Sequence, residues 1–88
     1  MYLHLGQNTV IREDQMIGIF DLERSTVSKI TREYLTAKQK RGEIVNVSME
    51  IPKSFVVCSD RRKATKVYVT QISTATLLKR TKADPANL

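Results

Sequence analysis

One histidine, His4, and one cysteine, Cys58, are all the chain has of its kind. A structural metal site or a nucleophile–base pair needs several of Cys, His, Asp or Glu converging, so such a stock points away from both. His4 alternates with Leu3 and Leu5 in a β-prone run and reads as a structural or surface imidazole. Cys58 ends an apolar run and reads as a small buried hydrophobe rather than a reactive thiol. The acids Glu13-Asp14 and Asp21/Glu23 sit beside Arg12 and Arg24, a composition typical of solvated turns. No glycine-rich phosphate loop is present. The expectation is a protein that is not an enzyme and carries no metal and no cofactor.

The chemistry on offer is cationic. The segment Ser59–Lys66, "SDRRKATK", places Arg61, Arg62, Lys63 and Lys66 beside one acid, Asp60. Alone, it reads as a solvated hairpin tip, since charges at such tips keep strand edges from aggregating. The distribution of charge across the chain supports a second reading. Residues 1–50 hold seven cations and seven acids, so the whole net charge of +6 falls in residues 51–88, where eight cations face only Asp60 and Asp84. A field this lopsided suits an anionic partner. Duplex DNA attracts it because each neutralised phosphate releases counterion, and arginine adds planar, bidentate recognition. The expected contact residues are Lys53, Arg61, Arg62, Lys63 and Lys66, with Arg12 as an addition. The five aromatic residues are scattered among core-like positions, which argues against a base-stacking surface for single strands.

The elements that must position these cations are legible in outline. "YLHL" and "TVIR" flank Gly6-Gln7-Asn8 and predict a hairpin, because Gly and Asn tolerate positive φ. "MIGIFDL" predicts a third strand, with Gly18 marking a bulge or a close backbone approach. In "STVSKITREYLTAKQKRG" the recurrence of Val27, Ile30, Tyr34 and Ala37 at spacings of three and four predicts a helix with that stripe inward. Ser25 or Thr26 is its expected N-cap, and Gly42 its left-handed terminator. "EIVNVS", "SFVVCSD" and "KVYVTQIS" predict three more strands, the last two joined through the basic tip. "STATLLKRTK" predicts a short helix capped by Ser73 or Thr74, with Leu77 and Leu78 inward. The fold class is α+β: about six short strands in a mostly antiparallel sheet, one main helix and a short C-terminal helix. Residues 1–82 form one domain and 83–88 a loose tail.

At 88 residues the core is thin, which favours association between copies. No apolar run reaches the roughly 18 residues of a membrane helix, and "MYLHLGQ" lacks the features of a secretory signal. With a single cysteine, a cytoplasmic setting without membrane contact is expected.

The segments "MYLHLGQNTVI", "MIGIFDLE", "TVSKITREYL", "PKSFVV" and "STATLLKR" occur in an order that resembles the RemA/RemB family of small bacterial extracellular-matrix and biofilm regulators, on its RemB side. The resemblance spans residues 1–80. It implies a cytoplasmic, non-enzymatic transcription regulator with a LytTR-like, RemA-type protomer, forming homo-oligomeric rings that present basic residues to duplex DNA. Two departures stand out. The RemA arginine before its "IIAI" strand falls at Gln15, and the RemA arginine pair falls near Ile51-Pro52-Lys53, where only Lys53 is basic. The contact would then come from Lys53, Arg12 and the 61–66 hairpin. The alternative is an interaction or structural protein that touches no DNA and co-assembles with a RemA-like partner or forms a structural ring, a partner strand or subunit covering the apolar run Met16–Phe20.

Overall fold

The computed structural model describes residues 1–82; the tail expected at 83–88 lies outside the described residues. Six strands form, as the alternation predicts, but in two sheets rather than one. Strands β1 (Tyr2–Gly6) and β2 (Thr9–Arg12) make a hairpin of their own. Its turn holds Gly6, Gln7 and Asn8 at φ of 99°, 47° and 66°. Leu3, Leu5 and Ile11 point inward, so the hairpin lies as a lid across the main sheet.

The main sheet contains β3 (Met16–Asp21), β4 (Ile44–Asn46), β5 (Ser54–Ser59) and β6 (Thr65–Thr70) in the order β3-β5-β6-β4. The β4–β6 pair is parallel and the others are antiparallel. Strands β3 and β4 are joined by a helical crossover, which returns the chain along its original direction; β4 therefore arrives parallel to β3 and β6. Central β5 is buried along nearly its whole length, with Val56 and Cys58 on the lid side and Phe55 and Val57 on the other.

Three helices follow: α1 (Leu22–Ser25), α2 (Lys29–Lys40) and α3 (Thr74–Lys82). A short 3-10 turn, Glu13–Gln15, leads into β3. The N-cap expected at Ser25 or Thr26 is corrected. Asp21 caps α1 by accepting from the Arg24 N–H, and α2 begins after Ser28. Gly42 does take the left-handed position, φ 70°, with Glu43 N–H reaching back to the Lys38 carbonyl and Gly42 N–H to that of Gln39. On α3, Leu77 is fully buried but Leu78 is not, and Ser73 Oγ accepts from the Thr76 N–H as cap.

The face that α2 turns to the sheet also differs from the expected stripe. Leu35 packs on the Phe55–Val57–Val67 cluster and Lys38 is buried, whereas Val27, Ile30 and Ala37 are exposed. The inward stripe is displaced by one residue, about 100° of helix rotation. The cause lies at the C-terminal end. The Lys38 ammonium donates to Glu43 Oε1 at 3.2 Å and to Thr65 Oγ1, and sits 5.7 Å from the Tyr34 ring centre. A buried cation requires such partners, and they fix the rotation.

Candidate nucleic-acid interface

The tip between β5 and β6 is built by Asp60. Its Oδ1 accepts from the backbone N–H of Arg62 at 2.8 Å and of Ala64 at 3.0 Å, while its own N–H and carbonyl bond Ala64 and Lys63. Lys63 takes the left-handed conformation, φ 62°, which closes the turn at a cost of about 1–2 kcal/mol for a residue with a Cβ. The acid in the basic run is thus structural. It holds the loop that leaves Arg61, Arg62 and Lys63 exposed.

Five of the six expected residues meet at this end of the sheet. Arg12 ends β2 and lines a shallow hollow with Asp14, Gln15, Ser59, Asp60 and Arg61. Lys66, on β6 opposite Cys58, borders a neighbouring hollow with Gln15, Asp60 and Tyr68. The cluster is not free of acid: Arg12 Nη2 lies 2.6 Å from Asp14 Oδ2. Lys53 is set apart. It precedes β5, whose far end leads into the tip, so about 20 Å of strand separates it from Arg61. Its surroundings are Met49, Glu50, Ile51 and Gln71. Gln15 lines both hollows and so lies within the cluster.

A second cationic region escaped the sequence reading. Between residues 29 and 41 the chain has five cations and one acid, a bias hidden when residues 1–50 are summed. On the outer face of α2, Lys29, Arg32 and Lys40 line a hollow with Glu33. Part of this charge is spent internally. Arg32 Nη1 donates to the Thr26 and Val27 carbonyls, and Lys29 lies 3.9 Å from Glu33. The local charge of the 13-residue window was the available signal.

Among the described residues no group of three or more His, Cys, Asp or Glu side chains converges, and no helix is long and apolar enough to cross a membrane. His4 is exposed, while Cys58 is buried and its thiol is pushed up by burial from 9.0 to about 11. Burial also raises Tyr68, with the Cys58 thiolate adding to the effect.

No family model matches the sequence. Against characterised proteins, the chain is 34% identical over 80 residues to extracellular matrix regulatory protein B of Bacillus subtilis (strain 168), covering 91% of this chain and 89% of the relative.

Proposed function

The chain belongs to the family of extracellular matrix regulatory protein B, and from that premise we propose that it is a homo-oligomeric, ring-forming DNA-binding regulator of extracellular-matrix and biofilm genes. The observation that carries the reading is the gathering of Arg12, Arg61, Arg62, Lys63 and Lys66 at one end of the sheet on a turn rigidified by Asp60. These side chains engage phosphates, and sequence choice comes from DNA shape and bending. Lys53, at the opposite end of β5, joins the contact only where a neighbouring copy brings it near the same duplex. The protomer is of the LytTR-like, RemA type, acts in the cytoplasm and is not an enzyme.

A fluorescence-anisotropy titration of labelled duplex at several salt concentrations tests this. Each lost phosphate contact flattens the salt slope by about 0.9, so Arg61→Ala with Arg62→Ala is expected to weaken binding and flatten the slope by about 2 per engaged protomer. An unchanged slope would remove the tip from the interface.

The second reading is a protein that binds no DNA and co-assembles with a RemA-like partner. It is favoured by the Arg12–Asp14 pair, which removes one cation from the cluster, and by the open edge of β3. Failure of the wild-type protein to bind duplex at low salt, with retention on an immobilised RemA-like protein, would select it.

A further inference from the structure

The outer face of α2 carries a cationic line that the basic tip does not account for. Lys29, Arg32, Thr36 and Lys40 recur at spacings of three and four along one side of the helix, opposite buried Lys38, and line a hollow with Glu33 and Ala37. From Lys29 to Lys40 the line runs about 16 Å, the axial span of roughly five phosphates on one strand of a duplex. Ile30 and Tyr34 turn away from it by about 100–140°, toward the hollow beside β3. The outermost line of the helix therefore carries no large apolar side chain, which suits phosphates better than insertion into a lipid surface.

These cations are only partly neutralised. Glu43, the next acid along the chain, is taken up by the buried Lys38 ammonium, and the Lys40 ammonium has no partner among the described residues. Arg32 is held rather than quenched: its Nη1 donates to the Thr26 and Val27 carbonyls at 2.7 and 2.9 Å, which fixes the guanidinium and leaves Nε and Nη2 without protein acceptors among the described residues. A guanidinium fixed in advance loses less freedom when it meets an anion. Lys29 and Glu33 are 3.9 Å apart and both well exposed, a surface pair of the kind that contributes little in water.

The line also leads to the tip. Ile44 pairs with Val67, and the Glu43 carbonyl accepts from the Val67 N–H, so the end of α2 lies level with Thr65, where β6 leaves the tip. The Lys38 ammonium joins the two by donating to Thr65 Oγ1. We propose that the outer line of α2, through Lys29, Arg32 and Lys40, is a second phosphate-binding strip for duplex DNA, continuing from the tip along the helix. This rests on the DNA-binding reading above and extends its contact to a second element.

Anisotropy titrations of labelled duplex across a salt series test the proposal, using Lys29→Gln with Lys40→Gln. Both positions are exposed, so circular dichroism should report unchanged folding. Arg32 is left intact because it also holds the α1–α2 turn. The double variant is expected to flatten the salt slope by about 2 per engaged protomer and to weaken binding at least tenfold at low salt. Lys79→Gln, an exposed cation on α3, controls for net charge and is expected to leave the slope unchanged. A wild-type slope in the double variant, with the tip variant still impaired, would overturn the strip and leave the DNA-binding reading standing. An equal loss per charge in Lys79→Gln would overturn it as an effect of net charge alone. A wild-type slope accompanied by lost binding to anionic phospholipid vesicles would overturn it in favour of a lipid surface. A wild-type protein that binds no duplex at low salt would refute the strip and the DNA-binding reading together.

Discussion

Asp60 sets two effects against each other. Its carboxylate lies among cations that need to meet phosphates, yet it accepts from the backbone N–H groups that shape the tip. Asp60→Asn keeps an acceptor and removes the charge, so a severalfold tighter DNA affinity is expected by anisotropy, with unchanged thermal stability. Asp60→Ala removes the acceptor and is expected to cost about 1–3 kcal/mol in urea unfolding. Equal affinities for Asn and Asp would take the tip away from DNA. Cys58 supports a separate pH prediction. Burial raises its pKa to about 11, so the folded state retains a proton that the unfolded chain releases from about pH 9. Its contribution is complete below pH 9 and is lost as pH rises through 11, and Tyr68 acts in the same direction. A urea midpoint constant from pH 7 to 8.5 that then falls is expected. One that rises between pH 9 and 11 would contradict the burial.

At the scale of elements, the strand pattern was readable because period-two alternation and turn chemistry agreed. Gly6-Gln7-Asn8 sits at positive φ, and the bulge falls between Met16 and Gly18. What sequence could not supply was the rotation of α2. Its most apolar stripe, Val27-Ile30-Tyr34-Ala37, is open, and Leu35 and Lys38 face inward, because the buried ammonium finds Glu43 and Thr65 only in the folded chain. The candidate site was half legible for a similar reason. Arg61, Arg62 and Lys63 are neighbours in sequence, whereas the approach of Arg12 and the distance of Lys53 follow from which end of β5 each adjoins. Gly18 tests how firmly the Phe20 ring is held against β3. Gly18→Ala places a methyl against the Phe20 ring and is expected to cost about 1–3 kcal/mol, read from urea midpoints. A stability equal to wild type would mean that the ring moves freely.

For the whole molecule, a net charge of +6 concentrated in residues 51–88 and several large exposed apolar residues pull in different directions. Like charges resist assembly, and apolar contact drives it. One tip offers only about four or five phosphate contacts, which is weak alone; repeated on linked copies it gains avidity through effective concentration. Mass measurement in solution, with and without a duplex of about 30 base pairs at low salt, addresses this most directly. The account predicts a particle of several protomers at micromolar concentration that gains the mass of bound duplex and releases it as salt rises. A monomer whose mass does not change when duplex is added would contradict it.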